Sequence, residues 1–309
     1  YGHELWRWTF PVNKLNQQTE QLSPLSSRPT YTETENDLTV KANKRTFIFS
    51  KKDGQLKGVS VDNRKISFAN GPRFIGARRA DRSLDQFYNH DDEKAKEKDR
   101  TYSEFPDAAV FTKLDVKEDG GNLVVTANYK LGNLDKAQWT INPSGDLALD
   151  YTYNFSGVVD LMGIRFDYPE DQVISKRWLG AGPYRVWQNR IHGTQYDVWE
   201  NDYNDPIPGE TFTYPEFKGY FGDVSWMNIQ TKEGTISLTN ETPDTYIGVY
   251  QPRDGRDRLL YTLPESGISV LNVIPPVRNK VNSTDLCGPS SQPKWVNGPQ
   301  TGRVIFRFM

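Results

Sequence analysis

Residues 118–130 read EDGGNLVVTANYK, and residues 142–153 read NPSGDLALDYTY. Each pairs a turn rich in Gly, Asp and Asn with a run in which apolar and polar residues alternate. A period of two places successive side chains on opposite faces of an extended chain, so each run predicts a strand and each turn a hairpin connection. Working outward, the same grammar recurs. RTFIFS at 45–50 is followed by KKDGQ, VSV at 59–61 by DNRK, and WMNIQ at 226–230 by TKEG and then TISLTN; RVIFRF closes the chain at 303–308. Runs at this spacing predict an all-β, antiparallel sandwich with few short helices.

Two stretches depart from that grammar. Residues 1–30 contain an aromatic-polar alternation ended by Pro11 and then a polar segment with Pro24 and Pro29, which reads as a lead-in strand and linker before a sandwich domain at 31–309. Residues 83–100, SLDQFYNHDDEKAKEKDR, mix helix formers with charges of both signs and read as a solvated helix or loop face.

The chain has 309 residues, enough for one large all-β domain. Its formal net charge is -2, so no basic surface for nucleic acid or an anionic membrane is expected. No apolar run approaches the roughly 20 residues needed to cross a bilayer, so membrane insertion is not expected. Cys287 is the one cysteine, which excludes an intrachain disulfide but leaves a periplasmic or secreted bacterial setting as the working expectation. The chain starts at Tyr1 without a signal-like segment, which suggests a mature or trimmed piece of a longer protein.

Several chemistries lack their residues. The histidines His3, His90 and His192 are scattered, so neither a metal nor any other cofactor is expected. Gly180-Ala181-Gly182-Pro183 lacks the third glycine and the helix of a phosphate loop, and no Gly-x-Ser-x-Gly elbow occurs. Asp197, Glu200, Asp202, Asp205, Glu210 and Glu216 could include a glycosidase-type carboxylate pair, yet their spacing singles out none.

The richest segment is 177–199, RWLGAGPYRVWQNRIHGTQYDVW. Flat rings that cover the C–H face of a sugar stand here beside donors that read its hydroxyls. Trp178, Trp187, Trp199 and Trp226 could equally fill the space between two sheets. If 184–190 is extended, Arg185, Trp187 and Asn189 share one face, opposite Tyr184, Val186 and Gln188. The candidate carbohydrate-binding residues are therefore Arg185, Trp187, Asn189 and Arg190, with Trp178, Trp199 and Glu216; no catalytic residue and no metal ligand is assigned.

Two ordered motifs carry a resemblance. LGAGPYRVWQNR resembles the Gly-x-Gly-Pro-x-x-x-Tyr/Trp-x-x-Arg signature in the C-terminal domain of family 2 glycoside hydrolases of the β-galactosidase type. TYPEFKGYFGDVSWMNIQTKEG at 213–234 is similar to that family's second motif, with Pro215, Glu216, Gly219, Val224 and Trp226 in matching slots. Arg185 and Asn189 stand where one version of the signature has Glu and Asp, Arg79-Ala80-Asp81-Arg82 only partly matches another stretch, and Cys287 stands in place of a loop tryptophan. The resemblance implies a β-supersandwich of the galactose mutarotase type. It also implies a partner, a preceding (β/α)8 barrel on the same polypeptide whose two glutamates cleave β-galactosides. A barrel needs about 250 residues, which an all-β chain of this length cannot supply. The expected role is a non-catalytic module that supports the barrel and contacts carbohydrate through an aromatic face. The alternative is a stand-alone sugar enzyme on the same fold, an aldose 1-epimerase or a polysaccharide lyase, with His192 and Glu216 as the acid-base pair.

Overall fold

The computed structural model describes residues 27–79, 102–205, 217–252, 263–277 and 288–309, with Gly2 and Thr9 as isolated positions. Most of the expected lead-in, the 83–100 stretch, Glu210, Glu216 and Cys287 lie outside the described residues.

Strands β1 (Thr30–Glu33), β2 (Asp37–Ala42), β3 (Arg45–Ser50), β4 (Leu56–Val61), β5 (Arg64–Ile66), β6 (Ala69–Arg79) and β7 (Tyr102–Glu104) come first. A run of long strands follows: β8 (Val110–Asp119), β9 (Asn122–Lys130), β10 (Leu134–Ile141), β11 (Leu147–Val159), β12 (Leu161–Asp167), β13 (Val173–Gly182) and β14 (Gln195–Asp202). The last are β15 (Phe221–Gly222), β16 (Trp226–Thr231), β17 (Gly234–Asn240), β18 (Tyr246–Gly248), β19 (Ile268–Val273) and β20 (Lys294–Phe308).

They form two antiparallel sheets. One has 9 strands in the order β14-β13-β16-β17-β20-β11-β10-β9-β8. The other has 11, with the path β1-β2-β3-β4-β6-β12-β19-β18-β15 and with β5 and β7 attached to β4 and β6. The runs read from sequence are these strands, and the turns at 120–121 and 142–145 join β8 to β9 and β10 to β11 as expected. The expected all-β supersandwich is the observed architecture.

The two sheets pack through rows of apolar side chains. Trp178, Met227, Leu238, Phe306 and Leu147 are directly opposite one another across five neighbouring strands, and all are buried. Opposed residues of antiparallel strands share a face, so this row marks the inner side of the nine-stranded sheet. From the other sheet, Phe166 meets it, with Phe306 5.4 Å away at 74° and Trp139 6.0 Å away at 62°. A second apolar cluster lies on the reverse of the eleven-stranded sheet. There Ile75, Ala77, Leu161 and Leu271 are covered by Val186, Trp187 and Tyr220.

Candidate functional site

The 177–199 signature bridges the two sheets. β13 runs inside the nine-stranded sheet between β14 and β16 as far as Gly182. Beyond Pro183 the chain crosses to the reverse of the eleven-stranded sheet. There Val186 and Tyr220 exchange backbone hydrogen bonds of 2.7 and 2.8 Å. The Arg190 amide then donates to the Trp187 carbonyl at 2.8 Å, closing a tight turn.

That path corrects the period-two reading of 184–190. Arg185, Val186, Trp187 and Gln188 are all buried in succession, which a strand with one open face cannot do. Arg185, Trp187 and Asn189 therefore do not share an exposed face. The cause is the crossing itself, because a segment wedged between a sheet and its covering loops has neighbours on every side.

Each candidate residue among the described ones has a definite place. Trp178 is wholly inside the sandwich, edge-on to Phe221 at 5.0 Å, and its indole N–H donates to the Ala181 carbonyl at 3.0 Å. Trp187 packs edge-on against Tyr220 at 5.9 Å in the second cluster. Trp199 is half-buried and donates to the Gln195 carbonyl at 3.2 Å; its ring lies over Gly182, where a Cβ would come within 2.4 Å of it. Asn189 clamps Val277, donating to its carbonyl at 2.5 Å and accepting from its amide at 2.9 Å, and it also donates to Ser291 Oγ at 3.1 Å. Arg190 is exposed. His192 is exposed too, and its backbone carbonyl accepts from the Tyr184 hydroxyl at 3.2 Å.

Arg185 sits where the crossing closes one edge of the sandwich. Its guanidinium stacks 4.9 Å from the Tyr250 ring and 5.9 Å from Phe221. Nη2 donates to Asn204 Oδ1 at 2.7 Å, while Nε and Nη1 are buried without a hydrogen-bond partner among the described residues. Lys176, on β13, approaches the same Tyr250 ring at 5.0 Å and donates to the backbone carbonyls of Asp202 and, at 3.4 Å, Asp205. Burial and then the neighbouring Arg185 push the Lys176 ammonium down to about 6, against the opposing pull of Asp205 and Asp202. Burial likewise pushes Arg185 down to about 10. Glu170 faces the pair across a tyrosine and an asparagine, accepting from Tyr203 at 2.8 Å, from Asn204 at 3.5 Å and from the Gln251 amide at 2.7 Å.

These contacts tie strands and loops together. Asp197 accepts from the Val198 amide at 2.7 Å, and Glu200 reaches Arg177 at 3.8 Å between exposed side chains. Asp202 and Asp205 meet Lys176 through their carbonyls. Sequence reasoning missed Lys176, Tyr250 and Glu170. The available signal was Lys176 itself, which sits two residues before Trp178 and hence on the inward side of its strand.

A family model described as beta galactosidase small chain matches residues 41–275. The chain belongs to the β-galactosidase small-chain family. A search of curated proteins finds none that matches. Solved structures that overlay on it include a galactose 1-epimerase from Lactobacillus acidophilus NCFM, at TM-score 0.46 and 9% identity over 92% of this chain and 99% of that one. Others are a putative mutarotase (YeaD) from Salmonella typhimurium, at TM-score 0.38 and 9% identity over 93% and 94%, and a GalM/aldose epimerase homologue from C. elegans, at TM-score 0.39 and 7% identity over 91% and 99%. Within the β-galactosidase small-chain family, the matched span takes in the whole 177–199 signature and Gly219. The close approach at Gly219 explains why glycine fills that slot, since a Cβ there would lie 2.0 Å from the Val186 carbonyl oxygen.

Proposed function

We propose that this chain is the non-catalytic module of a larger β-galactosidase-type glycosidase. In this reading, a (β/α)8 barrel preceding it on the same polypeptide carries the two catalytic carboxylates. The module supports that barrel and contacts carbohydrate through an aromatic surface. The observation that carries the reading is the family match over 41–275 on a fold whose described residues are strands and short 3-10 turns. Among the described residues no βα unit occurs from which a barrel could be built. The signature's own polar groups support it further, because Arg185 and Asn189 are engaged in holding loops and strands together.

The test is an assay of the isolated chain on nitrophenyl β-galactoside. No turnover is expected, and clear activity above background overturns the proposal. Reading the coding sequence upstream of Tyr1 is the second arm; a barrel with two strand-end glutamates is expected there.

A further inference from the structure

The outer side of the nine-stranded sheet carries a second row of opposed residues. Val198, Leu179, Trp226, Thr239, Ile305 and Ala148 are directly opposed across β14, β13, β16, β17, β20 and β11, and Thr140 and Val124 continue the line across β10 and β9. Each residue sits one position from the inner row of Trp178, Met227, Leu238 and Phe306, so alternation turns it to the opposite face. None of the eight belongs to either buried cluster. Val198 is 42% exposed, Leu179, Trp226, Thr239, Ile305 and Thr140 are half-buried, and Ala148 and Val124 are buried, so the accessible part of the row runs from Val198 to Ile305. Four strand spacings separate Val198 from Ile305, so the accessible part of the row is ~19 Å long, and the next rows on the same face lie ~7 Å to either side.

Those flanking rows decide what the band can hold. On one side run Arg177, Asn228, Ser237 and Arg307, and on the other Arg303, Asp150 and Gln138. Every arginine here is matched by a carboxylate of the same chain. Arg307 holds Asp146 at 2.7 and 3.0 Å, Arg303 holds Asp150 at 2.5 Å and Glu241 at 2.8 Å, and Arg177 meets Glu200 at 3.8 Å. An apolar strip one residue wide, bordered by amides, hydroxyls and internally neutralised ion pairs, offers no charge for a charged partner to satisfy. It complements a molecule with a flat C–H face and uncharged hydroxyl edges.

We propose that the outer face of the nine-stranded sheet binds a neutral oligosaccharide, laid across the strands with a ring stacked on Trp226. The inference rests on the carbohydrate-contact reading above and moves that contact from the buried signature to the open sheet.

The test titrates a neutral β-1,4-galactotetraose into the 309-residue chain by calorimetry, with saturation-transfer NMR as a second readout. Binding in the millimolar range is expected. Trp226→Ala should weaken it by about tenfold and Trp226→Phe should largely retain it. Val198→Arg, at the exposed edge strand, should weaken it several-fold and serves if Trp226→Ala fails to fold. Unchanged affinity in both weakening variants, no binding by the parent chain, or equal binding of an oligogalacturonate each overturns the inference. So does a Trp226→Ala chain that binds glycan normally but no longer associates with a catalytic barrel, which would make the face a protein interface. Galactoside turnover by the isolated chain would defeat the module reading and leave the Trp226 result standing on its own.

Discussion

Lys176 and Arg185 share one aromatic ring, the ammonium lying 5.0 Å and the guanidinium 4.9 Å from the centre of Tyr250. Two cations brought this close inside a protein repel each other through a medium that screens poorly. The ring, the Asp202 and Asp205 carbonyls and Asn204 compensate only in part. The edge of the sandwich that Arg185 closes therefore makes stability depend on pH.

Folding lowers the Lys176 pKa from 10.5 to about 6. Between those values the unfolded chain binds more protons than the folded one, so this group makes stability rise with pH across the window and contributes no slope below about 6. Lys176→Met removes the slope. Urea unfolding at pH 6, 7.5 and 9 checks it, and parallel pH profiles for the parent and variant would refute it.

Arg185→Met takes the like charge away from Lys176. The window in which stability rises should then start at a pH above about 6, because the second-largest cause of the depression is gone. The same denaturation series reads this as a shifted onset.

Asn189→Ala cuts both bonds to the Val277 backbone and strands a buried carbonyl and amide. A loss of about 1–3 kcal/mol is expected, together with faster hydrogen exchange at the Val277 amide. Unaltered exchange there would contradict the clamp.

Gly219→Ala drives a methyl group into the Val186 carbonyl oxygen, which lies 2.0 Å from the Cβ position, and should cost about 1–3 kcal/mol by thermal unfolding. Gly222→Ala is the comparison, because its nearest neighbour is a Val186 methyl at 3.3 Å. It should be clearly milder.

Trp178 and Trp226 lie on adjacent strands one row apart, yet on opposite faces of the sheet. Trp178→Ala opens a hole in the core and should cost about 3–5 kcal/mol. Trp226→Ala should cost less than about 2 kcal/mol, as no core neighbour loses its packing. Equal losses would place both rings in the core.

That pair also shows how far the sequence was legible. The alternation in NLVVTANYK, LALDYTY and RVIFRF announced strands, and the Gly-Asp punctuation announced hairpins, because both signals are local. Which of two alternating faces points inward is settled by the partner sheet, so the Trp178 and Trp226 roles could not be separated from spacing alone. Residues 184–190 were misread for a related reason. Their alternation suited a strand, but the crossing after Gly182 buries every side of the segment, and long-range contacts with Tyr220 and Val277 override the local pattern. Lys176 stood out only as a charge in an inward slot, and its meaning depended on Arg185 and Tyr250.

β20 pairs with β11 over residues 294–306 and with β17 over residues 304–308, so the last residues of this sequence occupy the middle of the nine-stranded sheet. Synthesis from the N-terminus therefore delivers the central strand last. Without residues 294–308, β11 and β17 would each present an unpaired edge, a template for pairing with other strands.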